Sequence, residues 1–228
     1  MKPHFKIENI LSTEEINTIK QYGESIPFDP IHKDDPWQKY VQKSGKAKSK
    51  SIPPVVSAHR GFDGVPQFLK DIICPKIEAN IGKFWITQTV ISLSTEPWSE
   101  HVDNHTVDHS LDPAYTVIIP LEVKSDCHTI VWNVSADYNE RIWDDRKLGK
   151  VKFEEGYAEH TYTDYEKDLL SHCGDRIYDW GKPYAYKWNV GDILFLRRYF
   201  LHSSCNFIRN SLQSTKTAIV LMTRFKEK

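Results

Sequence analysis

The sequence lacks the features of several specialised classes of protein. No stretch approaches the run of about 18 apolar residues that a membrane-spanning helix needs. The N-terminal segment MKPHFKIENIL has no apolar stretch followed by a small-residue cleavage site, so we expect no secretory signal. The four cysteines form no CxxC pair, which favours free thiols in a reducing compartment over a disulfide scaffold. We therefore expect a cytoplasmic protein without a membrane partner.

An excess of one charge is also missing. Lys and Arg number 30 and Asp and Glu number 31, a balance that gives no reason to expect nucleic acid as a partner. The composition is that of a soluble globular protein, with 39% hydrophobic and 27% charged residues over a length of 228. Because neither a repeat nor a low-complexity linker interrupts the chain, we predict a single domain over 1–228. The oligomeric state is left open.

The N-terminal part of the chain has the signals of a helix start. Ser12 is followed three residues later by Glu15, which is the spacing of a capping box. Leu11 and Ile16 stand where the two residues of a hydrophobic staple would stand. A helix beginning at Ser12 is therefore predicted.

A loop-rich segment separates this helix from a second one. Residues 27–64 contain five prolines and the basic run KSGKAKSK over 43–50, and we interpret them as loop. Residues 66–82 have apolar positions at helical spacing, which predicts a helix. Pro75 lies inside it and should kink or split it.

Beyond residue 82 the sequence is typical of strands. Pro120 should bend or bulge the strand that contains it, because proline cannot donate to a ladder. Residues 137–185 are polar with interleaved Tyr and Trp, and we interpret them as an insertion with a weak strand at 151–153 and a short helix near 165–170. The predicted strands are 85–94, 115–123, 129–134, 193–200 and 217–225. This order indicates an α+β chain that is mainly antiparallel β.

Histidines and carboxylates are concentrated in the segment SEHVDNHTVDH. His101, His105 and His109 would share a face only on a helix, whereas the segment follows a strand and has no HExxH motif. His101 and Asp103 suit a strand end better, because positions i and i+2 point to the same side. The two alone also fit an ordinary exposed turn.

A third ligand is needed for a metal centre, and His202 is the best candidate. It lies in NVGDILFLRRYFLHSS, in which a turn precedes an apolar strand. His202 would lie at the far end of that strand. Two His and one Asp on one face of an octahedral ion form the facial triad of non-haem iron(II) oxygenases, which leaves three positions open. We predict His101, Asp103 and His202 as metal ligands.

Several segments together resemble the iron(II)/2-oxoglutarate-dependent dioxygenase superfamily, particularly its prolyl-4-hydroxylase-like branch. The segments are NILSTEEINTIK, HVDNH, YTVIIPLEVKSDCHTIVWN, GDILFLRRYFLHSS and TKTAIVLMTRF. The usual Gly-Gly before the second strand is replaced by Asp126-Cys127. The resemblance implies a double-stranded β-helix, a jelly-roll of the cupin kind, with the N-terminal helices packed on one sheet.

The resemblance also implies the cofactors and the reaction. Fe(II), 2-oxoglutarate and O₂ would be used to hydroxylate an unactivated C–H bond, with release of succinate and CO₂. A basic residue after His202, the distal histidine of the triad, would bind the carboxylate of 2-oxoglutarate that lies farther from the metal. As candidates for this residue we rank Lys216 first and Arg209 second. Thr217, Thr129 and Tyr115 could add hydroxyl contacts. Because the related halogenases have a small residue where Asp103 stands, this carboxylate favours hydroxylation.

Two alternatives stay open at this point. One is a cupin-like metalloprotein or dioxygenase that does not use 2-oxoglutarate, and the other is a non-catalytic binding module on the same barrel. The expected partner is an amino-acid, peptidyl or other small substrate.

Overall fold

The structure is a computed structural model that describes residues 2–25, 57–61, 65–94, 98–103, 113–123, 126–136, 151–206 and 216–225. The basic run at 43–50 and three residues singled out in the sequence, His105, His109 and Arg209, lie outside these ranges. The helices are α1 (Thr13–Ser25), α2 (Gln67–Ile81), α3 (Asp164–Leu169) and a 3₁₀ helix (Asp175–Trp180). The strands are β1 (His4–Ile7), β2 (Ser57–Gly61), β3 (Phe84–Ser94), β4 (Trp98–His101), β5 (Pro113–Val123), β6 (Cys127–Ala136), β7 (Val151–Phe153), β8 (Pro183–Lys187), β9 (Ile193–Arg197), β10 (Phe200–Asn206) and β11 (Lys216–Phe225).

The strands form two antiparallel sheets. One has six strands in the order β1-β9-β5-β11-β3-β2, and the other has the order β4-β10-β6-β7, with β8 also paired to β6. Consecutive strands repeatedly cross from one sheet to the other, which is the winding of a double-stranded β-helix. The predicted class, an α+β fold that is mainly β with this core, is confirmed.

Alternation along β5 separates two apolar layers. Tyr115, Val117 and Ile119 belong to the core that α1 and α2 cover, whereas Ile118 belongs to the core between the sheets. The helices contribute Ile16, Ile19, Leu69, Ile73 and Ile77 to the first core, all buried. Each such side chain contributes about 1.5–3 kcal/mol through burial. The helices therefore pack on the six-stranded sheet, as predicted, and leave its other face to the barrel interior.

The segment that contains His202 differs from the sequence prediction. We predicted one strand over 193–200, but the structure has β9, a turn at Arg198 and Tyr199, and then β10. β9 lies in the six-stranded sheet and β10 in the other. Since residues on both faces of Ile193–Leu196 are buried, apolar residues continue through the segment and no polar alternation marks the turn. His202 accordingly lies inside β10 and not beyond a longer strand.

The predicted helix start and the other local signals are confirmed, with one exception. The Ser12 amide donates to Glu15 Oε2 at 2.8 Å, and the Glu15 amide donates to Ser12 Oγ at 3.2 Å. A register shift in the pairing of β5 with β11 occurs at Pro120. The exception is α2, which runs through Pro75 as one helix, so the proline does not split it.

No helix within the described ranges is both long and apolar enough to cross a membrane.

A buried carboxylate ties the N-terminal segment to the turn before β9. Asp192 is 2% exposed and accepts hydrogen bonds from Lys6 Nζ (2.9 Å), the Asn9 amide (3.0 Å) and Asn189 Nδ2 (2.9 Å). Burial alone would raise the pKa of Asp192, but these donors and the Lys6 charge outweigh it and lower the pKa below its usual range. Asp192 is therefore ionised and stabilises the fold at neutral pH.

Replacing Asp192 by Asn should lower the free energy of unfolding by about 2 kcal/mol at pH 7, because a hydrogen-bonded charge is lost. The folded pKa lies below the unfolded value, so this contribution is full above about pH 4 and is lost as the pH falls through the folded pKa. Chemical denaturation of both proteins, at a series of pH values from neutral to acid, measures the difference.

Glu8→Gln is the matched control, because Glu8 binds the same lysine at 3.0 Å with a side chain that is 66% exposed. It should change stability by about 1 kcal/mol or less. Equal losses in the two variants would show that burial of Asp192 is not what matters.

Candidate metal centre

Strand pairing brings the three predicted metal ligands together. β10 pairs with β4 so that His202 lies opposite His101, and their ring centroids are 4.2 Å apart. Asp103, two residues after His101, places Oδ2 3.3 Å from His202 Nε2 and Oδ1 3.7 Å from His101 Nε2. The ligand atoms of the three all lie within 4.8 Å of one another. The geometry thus offers two imidazoles and a carboxylate to one ion, which is a facial-triad donor set.

The Asp103 carboxylate is buried, oriented and ionised. Thr116 Oγ1 donates to Asp103 Oδ2 at 2.6 Å, and Asp103 is 8% exposed. Burial by itself raises the pKa of Asp103, but His202, His101 and the Thr116 hydroxyl outweigh it and hold the pKa far below its usual value. A carboxylate fixed in this way is ready to bind a cation.

The ring of His202 is oriented by a main-chain hydrogen bond. Its Nδ1 lies 3.0 Å from the carbonyl oxygen of Phe200, which can only accept, so Nδ1 holds the proton. Nε2, the atom that faces Asp103, is then the atom that would bind a metal, in its deprotonated form. Burial lowers the pKa of His202, but Asp103 and the Phe200 carbonyl outweigh it and raise the pKa above its ordinary value.

Lys216 is a buried cation in the interior of the barrel. It is 2% exposed, and none of the described residues accepts a hydrogen bond from its Nζ, which lies 4.7 Å from the centre of the Trp188 ring. Burial lowers its pKa to about 8. Trp188 Nε1 in turn donates to Thr129 Oγ1 at 2.8 Å. Lys216 and Thr129, which we predicted to bind 2-oxoglutarate, therefore both contact Trp188.

Lys216 and Thr129 face the same interior as the metal ligands. On β6, Val131 lies opposite His202 and Thr129 lies opposite Ser204, so Thr129 and His202 share a face of the sheet. On β11, Lys216 shares the inner face with Ala218, which packs with Trp188. A ligand between Lys216 and the triad would thus lie between the two sheets.

Two other predicted residues are not brought to the site. Tyr115 lies on the helix-covered face of β5, and its hydroxyl donates to the Lys2 carbonyl at 2.7 Å. Thr217 shares the face of Ile219, which also belongs to the helix-covered core, and so it points away from Lys216. The sequence suggested these two residues because each has a hydroxyl group. β-strand alternation, however, places both side chains on the helix-covered face of the sheet.

Sequence reasoning missed Thr116 and Trp188. Thr116 follows Tyr115 and directly precedes the apolar run 117–121 of β5, and this was the available signal. Trp188 follows β8, and no sequence pattern relates it to Lys216. Both contacts join segments that are distant along the chain.

Comparison with known proteins identifies the fold. No protein-family model and no curated protein matches the sequence. The structure is similar to the non-haem α-ketoglutarate-dependent carbocyclase SnoK from nogalamycin biosynthesis, with 16% identity, a TM-score of 0.56, and 98% of this chain and 80% of that chain covered. It is also similar to HygX from Streptomyces hygroscopicus with nickel and 2-oxoglutarate bound, with 9% identity, a TM-score of 0.50 and coverages of 98% and 83%.

A third similar structure is the epimerase SnoN in complex with Fe³⁺, α-ketoglutarate and nogalamycin RO. Its identity is 12%, its TM-score is 0.50, and 98% of this chain and 79% of that chain are covered. At these identities the likeness establishes the fold. The chain has a double-stranded β-helix, which is the fold of these similar structures. The prolyl-4-hydroxylase-like branch remains a prediction.

Replacing Thr116 by Val should weaken metal binding by about tenfold or more, because a group that orients a ligand is removed at nearly constant volume. Titration with Co(II), followed by its visible absorption, measures the affinity. Thr116→Ser keeps the hydroxyl and should bind Co(II) almost as the unmodified protein does. Equal affinity in the Val variant would show that the hydrogen bond to Asp103 does not orient the ligand.

Proposed function

We propose that this protein is an Fe(II)- and 2-oxoglutarate-dependent dioxygenase that hydroxylates a small-molecule or peptide substrate. The burial of Lys216 supports this proposal most strongly, because its ammonium has no hydrogen-bond acceptor among the described residues. It faces the same interior as a His-Asp-His group. A buried cation of this kind is costly unless a ligand supplies the missing anion.

The donor set fits iron. His101, Asp103 and His202 supply three ligands from one side, with the carboxylate ionised and Nε2 of His202 directed toward it. A facial triad of this composition leaves coordination positions open, as non-haem iron(II) oxygenases require. A structural zinc site would instead be closed by a fourth protein ligand, and within the described ranges no fourth His, Cys, Asp or Glu side chain joins this group.

The environment of Lys216 fits the far carboxylate of 2-oxoglutarate. Its ammonium would bind that carboxylate, and the Thr129 hydroxyl, which accepts from Trp188, retains a proton to donate. Trp188 covers the ammonium and excludes water on that side. Arg209, the second-ranked cation, lies outside the described residues, so Lys216 is the residue that we assign.

Iron and 2-oxoglutarate, when bound, supply the activation of O₂ with release of succinate and CO₂. The contribution of the chain is to orient these groups and to keep water out of the interior. Asp103 would supply a carboxylate to the metal where the related halogenases have a small residue, which supports hydroxylation over halogenation. The presence of nogalamycin RO on SnoN and hygromycin B on HygX supports a small organic substrate.

Succinate formation tests the proposal directly. The purified protein with Fe(II) and 2-oxoglutarate should form succinate slowly without substrate and faster when a screen of amino acids, peptides and other small molecules includes the substrate. Asp103→Asn and His202→Ala should abolish this activity. Metal binding without any succinate would favour a cupin-like metalloprotein that does not use 2-oxoglutarate, and absence of both would favour a binding module.

Replacing Lys216 by Met should raise the KM for 2-oxoglutarate by about 30-fold or more, because a buried charge pair loses one partner. Co(II) affinity should be unchanged, and the ligand-free protein should be no less stable, since an uncompensated buried cation is removed. Lys187→Met is the matched control, because Lys187 is 60% exposed and pairs with Asp126 at 2.6 Å. An unchanged KM in the Lys216 variant would remove Lys216 from the site.

The affinity for 2-oxoglutarate should also depend on the pH. Only the protonated form of Lys216 attracts a carboxylate, and burial lowers its pKa to about 8. kcat/KM for 2-oxoglutarate should therefore fall as the pH rises through about 8. In Lys216→Arg the guanidinium stays charged, and the fall at this pH should disappear. A fall at the same pH in both proteins would assign it to another group.

A further inference from the structure

Arg198 is a buried cation that contacts the main chain of a metal ligand. It lies in the turn between β9 and β10 and is 3% exposed. Its Nη2 donates to the carbonyl oxygen of Asp103 at 3.1 Å, and its own carbonyl oxygen accepts from the Asp103 amide at 2.9 Å. Arg198 thus holds Asp103 on both sides of its α-carbon.

Asp103 depends on this contact because it lies beyond the end of β4. His101 is the last residue of that strand, and the sheet ladder does not extend to Asp103. In the part of the chain that the structure describes, both hydrogen bonds of the Asp103 main chain are made with Arg198. The Thr116 hydroxyl orients the carboxylate, but it does not fix the backbone.

The arginine is poorly placed for a purely stabilising role. Within the described residues its Nε finds no hydrogen-bond partner, and the second contact of Nη2 is with the Met222 sulfur at 3.6 Å. Burial lowers the pKa of Arg198, the Asp103 charge raises it, and the nearby Arg224 lowers it. Burying a guanidinium with so few acceptors costs free energy, so stabilisation of the fold does not account for this residue.

Arg198 also lies in the turn that leads into β10, the strand that contains His202. The turn joins β9 to β10, and His202 lies opposite His101 in the pairing of β10 with β4. Contacts between Arg198 and Asp103 therefore fix the position of one metal ligand relative to the strand that holds another. Small errors in that position matter, because a metal site requires its ligands within about 0.5 Å of the productive geometry.

We propose that Arg198 is a positioning residue whose guanidinium fixes the Asp103 backbone to the β9–β10 turn and so sets the geometry of the His101-Asp103-His202 metal centre. The inference rests on the metal part of the proposed function. It assigns Arg198 no contact with 2-oxoglutarate, because Met222, its neighbour on β11, lies near the opposite end of that strand from Lys216.

Co(II) binding to the purified full chain tests this without any turnover. In Arg198→Met the affinity should fall about 10- to 100-fold, and the visible spectrum of the bound Co(II) should change, because Asp103 is no longer held. The unfolding midpoint of the metal-free variant should not fall. Arg198→Lys, which keeps one charged donor, should recover part of the affinity and serves as the second variant if Arg198→Met does not fold.

Arg197→Met is the matched control. Arg197 precedes Arg198, but its guanidinium lies 5.0 Å from the Tyr115 ring centre and 5.2 Å from that of Phe225, on the helix-covered face. It should leave Co(II) affinity and spectrum unchanged. Unaltered affinity and spectrum in Arg198→Met, or losses equal to those of Arg197→Met, would overturn the proposal. Absence of Co(II) binding by the unmodified protein would instead overturn the metal centre itself.

Discussion

The candidate centre depends on the register in which β10 pairs with its two neighbours. His202 lies opposite His101 on β4 and opposite Val131 on β6, so its ring faces the interior. Leu201, next to it, faces the other way into the core beneath the insertion. A slip of one residue would exchange the two side chains and remove the third candidate ligand. The apolar cores on both sides of the sheet make such a slip costly, and they therefore protect the geometry of the site.

The two faces of the six-stranded sheet bury different kinds of side chain. One face is closed by α1 and α2 and contains fully buried aliphatic side chains such as Ile19, Leu69 and Ile73. The other face contains Thr116 and Lys216, which are polar groups that a stable core would not need. Because the helix-covered core supplies burial energy, the interior face can hold polar groups whose burial costs energy in the ligand-free protein.

Charge inside the barrel gives the clearest argument for a ligand. Asp103 is matched by two imidazoles and a hydroxyl, whereas the ammonium of Lys216 and the Nε of Arg198 have no acceptors among the residues that the structure describes. Burial lowers the pKa of both basic groups. The two differ in their surroundings, since Lys216 faces Trp188, which bonds Thr129, while Arg198 binds the main chain of Asp103. For this reason we propose a ligand-binding role for Lys216 and a positioning role for Arg198.

The sequence by itself determined the parts that local pattern controls. The capping box at Ser12, the helix that contains Pro75 and the choice of His101, Asp103, His202 and Lys216 as candidates follow from short motifs and their order, because strand ends and caps are marked by neighbouring residues. Only the tertiary structure decided that Thr116, and not Tyr115, faces the site, that a turn at Arg198 divides the predicted strand, and that Trp188 covers Lys216. The physical reason is that strand parity and contacts between distant segments depend on which strands pair and in which register, and the local sequence does not contain that information.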